Sequence, residues 1–530
     1  MELKVALSLS WLLFSVVTFF DAREWMMRIA FLFFIGIVMS DVSAMDLTTL
    51  DFTLAVTTRP EPELVVTPQV VVTLIPEAGS GTHVVSFGLP FPPGVLYDHT
   101  RIQVRDERGA MIPVFTQALG QWQISGQQGA LRSVLVQFEM AFFDAEPRVV
   151  TLDWDETVMP SRQQKTSIVE TQFVREDADV SYLCPKVLAL LPPEWLCASW
   201  IAWQQVPASE NATAPWYDQH VQDQFAGSLA HINSDRFAPH LYDRPATYAK
   251  IYIRHGLREH LLAALKAGDV YVSHLGSDGS FGLKPADVKY VYAEGMTLLY
   301  LLTGDDSFRD AALRAAERWS RWPGYRYTGE GFWTERHTAF GMAAFLSAYM
   351  LTGESGWLDR AGVYFDGVYA MQSVPLDGKP PDGAWRHTAE SHGDGIGWTT
   401  SPWMSALLCD SIWKYWMLTD DARAPVSLAA YAKFIADYAI TADGTGVYYM
   451  AASPGIGESV NAENPPHHVE ACYMLAMGYY LSGGQDQNLL AKCDVLWPLV
   501  IGDNANQPPR KFSWRFRNTS MLVWFLGQGD

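Results

Sequence analysis

Glu335-Arg336-His337 set a carboxylate, a guanidinium and an imidazole on consecutive positions, just after Trp333. Similar groups recur in four other segments. One holds His274, Lys284, Lys289, Tyr290 and Tyr292. Another holds Trp385, Arg386, His387, Glu390, His392, Asp394, Trp398 and Trp403. A third holds Tyr448, Tyr449, Asn461, Asn464, His467 and His468, and the last holds Arg510, Lys511, Trp514 and Arg515. Indole and phenol faces stack on pyranose rings, while Arg and His bind carboxylates. Elimination beside a uronate needs the carboxylate neutralised, a base for the adjacent C–H proton and an acid for the leaving oxygen. Arg336, His337, His392 and His467 are candidates for neutralisation or base, and Tyr290 for acid or base. Lys289, Trp333, Arg386, His387, Trp398, Trp403, Asn464, His468 and Trp514 are the candidate substrate contacts.

Other chemistry is open to the same residues. Inverting glycoside hydrolysis needs two carboxylates roughly 6.5–9.5 Å apart, and Glu335 with Glu390 or Asp394 could supply them. A sugar epimerase would share much of the elimination chemistry. A non-catalytic polysaccharide-binding protein would show aromatic groups without clustered titratable ones. Each residue also has a plainer role: Glu335 as a first-turn helix charge, His387 or His392 bonded to a loop carbonyl, Asn464-Pro465-Pro466 as a break in the backbone. His467-His468 cannot point the same way on a helix, so no metal site is expected. No cofactor is required, although Asp278 and Asp394 are compatible with calcium.

These segments must be positioned by something, and the chain supplies a repeat. Five times an apolar helical stretch ends in a short turn and an amphipathic stretch follows: at Arg254-His255-Gly256, Thr303-Gly304-Asp305, Thr352-Gly353-Glu354, Thr419-Asp420-Asp421 and Ser482-Gly483-Gly484. Glu294–Leu302 is apolar nearly all round, which suits burial on both faces. In the following stretch Phe308, Ala312, Ala315 and Trp319 share one face. The pairing predicts inner and outer helices, and Phe512–Leu526 reads as a sixth inner helix whose outer partner lies within 180–230. The expected fold is an (α/α) toroid of about six hairpins over residues 179–530, rather than an open solenoid. Long outer-to-inner connections would then gather the residues above at the inner helices' N-termini, whose free N–H groups favour anions.

Residues 45–178 read as short β-strands with turn punctuation, a sandwich or barrel. The run Val85-Ser86-Phe87-Gly88-Leu89-Pro90-Phe91-Pro92-Pro93-Gly94, with Ile102-Gln103-Val104-Arg105, Pro113-Val114, Trp122 and Ser133-Val134-Leu135-Val136, resembles the N-terminal RIFT barrel of exo-rhamnogalacturonan-lyase-like proteins. That resemblance implies a β domain ahead of a helical toroid. It covers under a fifth of the chain, and the family's catalytic residues do not map onto it, so no substrate is carried over.

The remaining bounds are broad. At 530 residues, with 49% hydrophobic, the chain is large enough for more than one core. A net charge of −20 excludes an extended nucleic-acid footprint but not an acidic polysaccharide in a local basic cleft. Residues 1–44 hold two apolar stretches, Val5–Phe20 and Ile29–Val38. The second, opening at Met26-Met27-Arg28 and ending at Val42-Ser43-Ala44, reads as a signal peptide, with the preceding residues an upstream extension. Export to the periplasm or medium follows, with no stable membrane span after cleavage. The five cysteines lack a CxxC pair; Cys184 with Cys197, or Cys472 with Cys493, are near enough in the expected fold to meet.

Overall fold

The computed structural model describes residues 54–62, 68–154, 162–177, 180–326, 333–375, 378–387, 398–461, 467–502 and 509–528, with Leu47 and Leu50. Residues 1–49 and 50–530 separate as two units; the apolar N-terminal stretches lie outside the described residues. Among those described, no helix is long and apolar enough to cross a membrane.

Among the described residues, ten strands open the second unit: β1 (Gln69–Ile75), β2 (Gly81–Pro90), β3 (Gln103–Arg105), β4 (Met111–Ile112), β5 (Phe115–Gln121), β6 (Leu131–Phe142), β7 (Arg148–Asp153), β8 (Gln172–Asp177), β9 (Val180–Pro185) and β10 (Leu188–Leu190). They form an antiparallel sheet β10-β1-β7-β3-β4, a second sheet β2-β6-β5 and the hairpin β8-β9. In β1 burial alternates, as expected where one face is wet. The inner parts of β2 and β6 are buried without alternation, because both faces are covered. The polar groups trapped there are bonded. Ser133 Oγ donates to the Leu301 carbonyl at 2.6 Å, and Gln137 Nε2 donates to Ser86 Oγ and the Thr166 carbonyl at 3.0 Å each. Strand structure continues to Leu190, since Val180, Tyr182 and Cys184 alternate inward along β9.

The helices follow as α1 (Pro193–Ala198), α2 (Pro215–Ser228), α3 (Arg244–His255), α4 (Arg258–His274), α5 (Glu294–Thr303), α6 (Asp306–Trp319), α7 (Glu335–Thr352), α8 (Ser355–Ser373), α9 (Pro402–Thr419), α10 (Arg423–Phe434), α11 (His468–Leu481), α12 (Gln487–Gly502), α13 (Pro509–Asn518) and α14 (Leu522–Gly527). Contacts run α3 to α5, α5 to α7, α7 to α9, α9 to α11, α11 to α13 and α14, and α13 back to α3. That is a closed ring of inner helices. Each of the first five is packed against the helix that follows it, and α13 against α2 from residues 215–228. The turns have a common cause. Gly256, Gly304 and Gly353 adopt φ of 68°, 74° and 72°, and each N–H closes on the carbonyl four residues back. Glycine takes this left-handed cap at no Cβ cost. Asp420 does the same at φ 57°. All five cysteines are buried thiols; Cys472 Sγ lies 3.5 Å from the Cys493 carbonyl, while Cys197 points at the Ile253 carbonyl.

The sheet β2-β6-β5 packs under the C-terminal ends of α5 and α7. A Cβ on Gly88 would lie 2.0 Å from the Leu301 carbonyl oxygen. Gly88→Ala is therefore expected to force β2 off α5 and lower stability by about 1–3 kcal/mol, read as a lower urea midpoint. The β layer thus occupies the C-terminal face of the ring, leaving the N-terminal face for the long connections.

Candidate active site

The N-termini of α7, α9, α11 and α13 bring together groups distant in sequence. Trp403, at the start of α9, is the hub. His467, preceding α11, stacks on it with centroids 5.2 Å apart, and on Trp514 of α13 at 4.6 Å. The two indoles are 4.3 Å apart, and Tyr449 of β11 (Tyr448–Met450) covers Trp403 at 5.7 Å. Arg336 of α7 sits over the Trp403 ring at 5.9 Å. Its guanidinium donates to the Tyr242 hydroxyl at 2.8 Å. Tyr242 also packs on Trp514 at 5.2 Å.

Tyr242 is placed by strained backbone. Tyr242 and Asp243 have φ of 79° and 54°, a conformation rarely held by non-glycine residues without compensation. The compensation is visible. Tyr242 N–H donates to Tyr292 Oη at 2.9 Å, and Asp243 accepts from the Ala246 N–H at 3.2 Å and the Gly295 N–H at 3.1 Å. Burial raises the Tyr242 phenol, and Arg336 pulls it only part of the way back. It stays protonated at neutral pH.

Two carboxylate–imidazole pairs flank this cluster. His467 Nδ1 is 3.3 Å from Glu470 Oε1, while His467 Nε2 and Glu470 Oε2 have no hydrogen-bond partner among the described residues. Burial pushes the Glu470 carboxyl up, but His467 and Arg515 bring it below its ordinary value. Glu335 Oε1 accepts from His387 at 3.2 Å, Thr400 Oγ1 at 2.8 Å and the Ser401 N–H at 3.1 Å, and its Oε2 has no partner among the described residues. Burial opposes the ionised form of Glu335; His387 first, then the Ser401 N–H, more than offset that.

Other residues singled out by type occupy different surroundings. His337 turns toward the outer layer, where it stacks on Trp322 at 5.4 Å and meets Thr334 Oγ1 at 2.8 Å. Burial, with Arg336 and Lys289 nearby, holds its imidazole neutral. Tyr290 is buried against Phe237 and Phe281, its phenol raised by burial. Lys289 pairs with Asp287 at 2.8 Å. Trp333 Nε1 donates to Thr338 Oγ1 at 2.9 Å and its ring lies 6.3 Å from His387. Arg386 fastens its own loop, donating to the Pro380 carbonyl at 3.0 Å and lying 3.6 Å from Asp382. Trp398 is half-buried, and His468 is buried at the start of α11. Asp278 is engaged by the Ser280 N–H and hydroxyl at 3.0 and 2.7 Å. His392, Asn464, Glu390 and Asp394 lie outside the described residues. Among the described residues, no group of three or more His, Cys, Asp and Glu side chains could hold a metal ion.

Beneath the mouth the ring is filled with charge. Glu294 of α5 meets Lys250 of α3 at 2.8 Å, and Lys414 of α9 and Arg517 of α13 at 2.6 Å each. Asp410 accepts from Lys414 at 2.7 Å. Arg517 also lies 3.9 Å from Asp243 and 5.2 Å over Phe340, which connects this layer to Tyr242 above. Residue type and spacing in the five segments did not mark Tyr242, Glu470 or this network. A signal for the network was present: Asp410 and Lys414 stand four apart within a long apolar helix, and buried charges require partners.

No protein-family profile matches the chain, and no curated protein matches it. Solved structures match part of the chain at low identity. An unsaturated glucuronyl hydrolase from Bacillus sp. GL1 is 14% identical, over 59% of this chain and 98% of that one, with a TM-score of 0.42. A polysaccharide lyase is 13% identical over 60% and 98%, TM-score 0.43. A cellobiose 2-epimerase from Bacillus thermoamylovorans is 12% identical over 52% and 85%, TM-score 0.39.

Proposed function

We propose that the protein is a carbohydrate-active enzyme, a polysaccharide lyase that cleaves an acidic, uronate-containing polysaccharide by β-elimination at the N-terminal mouth of the helical ring. The observation that carries this reading is His467. Glu470 holds its Nδ1, its Nε2 has no partner among the described residues, and Trp403 and Trp514 clasp the ring beside Arg336. A carboxylate-oriented imidazole whose other nitrogen is buried and carries no hydrogen bond among the described residues has the chemistry of a general base.

In this reading Arg336 binds the uronate carboxylate and stabilises the enolate-like charge that develops as the C5 proton leaves. His467 Nε2 takes that proton. The C4–O bond then breaks, and Tyr242, whose oxygen accepts from Arg336, donates its proton to the departing oxygen. The products are an unsaturated uronate and a new reducing end. The β layer, which runs past the expected bound at 178 to Leu190, would be a RIFT-like companion domain, and the apolar leader would send the enzyme to the periplasm or medium. No cofactor enters these steps.

A panel of uronate-containing and neutral polysaccharides tests the proposal. Ultraviolet absorbance of an unsaturated uronate, rising with new reducing ends, is expected on the former only. Arg336→Lys keeps the charge but loses the planar fork, so kcat/KM should fall about 10-fold. A hydrolase is the second reading, favoured by the Oε2 atoms of Glu335 and Glu470, which have no partner among the described residues. It predicts reducing ends without that absorbance, lost in Glu335→Gln and Glu470→Gln. Silence across the panel would point to a binding protein.

A further inference from the structure

A second cleft lies on the opposite face of the ring. Arg59 marks that face, donating to the Met417 carbonyl at 3.1 Å and pairing with Asp420 at 3.2 Å beyond the C-terminal end of α9. The cleft encloses about 660 Å³ and is lined by Glu61, Glu194, Glu210, Gln205, Trp200 and Trp524, among others. Its polar lining is rich in acceptors. Of the described residues that line it, none is Lys, Arg or His. Glu61 is paired with Arg59 at 3.2 Å, whereas Glu194 and Glu210 are exposed.

The independent pointer is Gln205. It is 6% exposed, and its amide nitrogen donates to the Ala202 carbonyl and Ser520 Oγ at 3.1 Å each. Those bonds fix the flip of the amide, yet its Oε1 has no partner among the described residues. A buried carbonyl oxygen costs free energy until a donor meets it. The indoles beside it are fixed too: Trp200 is 8% exposed, and Trp524 is held by Tyr480 at 5.0 Å.

We propose that this cleft binds an oligosaccharide bearing free amino groups. Ammonium groups would meet Glu194 and Glu210 and lie over an indole face, and a sugar hydroxyl would donate to Gln205 Oε1. The volume matches a ligand of a few sugar rings, whereas one lysine side chain of a basic peptide would fill a small part of it. A uronate chain would be repelled, so the site is distinct from the mouth in the chemistry it selects.

Titration calorimetry of the full chain with a fully deacetylated glucosamine trisaccharide tests this, with the N-acetylated trisaccharide as comparison. The amino sugar is expected to bind at least about 10-fold more tightly, as loss of the charge-assisted and cation–π contacts predicts. The exposed double variant Glu194→Gln/Glu210→Gln should lose a similar factor with unchanged circular dichroism, and Trp524→Ala should weaken both sugars. His467→Ala should bind like the parent chain, which separates this site from the mouth. Equal affinity for the two sugars, indifference to the double variant, no binding, or tighter binding of trilysine would each overturn the proposal.

Discussion

Replacing His467 by alanine is expected to lower kcat on a uronate polysaccharide by about 10²–10⁴-fold, the range contributed by a positioned general base. The loss should fall on kcat more than on KM, because Trp403, Trp514 and Arg336 still line the mouth. The substitution also opens a cavity between Trp403 and Trp514 and leaves Glu470 without its imidazole, so the denaturation midpoint should fall as well; retained circular dichroism and rates measured well below that midpoint separate loss of the base from loss of the fold. Glu470→Gln should cost less than alanine at 467: the shape is kept, but the acceptor that holds Nδ1–H is replaced by a neutral amide. Initial rates of unsaturated-uronate absorbance read both variants. A His467→Ala enzyme within about threefold of the parent rate would rule out His467 as the base.

The second large effect is on stability. Glu294 neutralises Lys250, Lys414 and Arg517 in the ring interior. Glu294→Ala leaves those cations buried and under-compensated, which should cost about 3–5 kcal/mol, read from urea or guanidinium midpoints. The pH dependence has a defined sign. Burial alone would raise the Glu294 carboxyl, but Lys250, Lys414 and Arg517 hold it well below its ordinary value of 4.5. A carboxyl depressed by folding adds stability that is present above 4.5 and lost as pH falls toward the folded value. Asp243 works the other way: burial raises it above 3.8 despite Arg517, so it takes stability away as pH rises from 3.8. The gap between parent and Glu294→Ala should therefore be widest near neutral pH and shrink below 4.5. A gap independent of pH would show that the carboxylate's charge is not what stabilises the ring.

Much of this molecule is written in local chemistry. An all-round apolar stretch such as Glu294–Leu302 can be stable only with both faces covered, and a glycine at position 256, 304 or 353 allows the left-handed cap that ends each inner helix. Inner and outer helices, their order and the side of the ring that carries the long connections follow from period and punctuation alone. So does the gathering of Glu335, Arg336, Trp403, His467 and Trp514, because each stands where such a connection enters an inner helix.

Orientation was decided only in three dimensions. Successive residues on a helix point about 100° apart, so Glu335, Arg336 and His337 could not all face one cavity. Arg336 looks to Tyr242 and Trp403, Glu335 to His387 and Thr400, and His337 outward to Trp322. Tyr242 is unremarkable in sequence and becomes a candidate acid only through a strained corner held by Tyr292 and Asp243. The ring's charged interior likewise joins Lys250, Glu294, Asp410, Lys414 and Arg517 across more than half the chain. Residue type and period set which segments were helices and which loops met. Which imidazole found a carboxylate, and which was left to pack, depended on side-chain directions and partners that only the closed ring supplies.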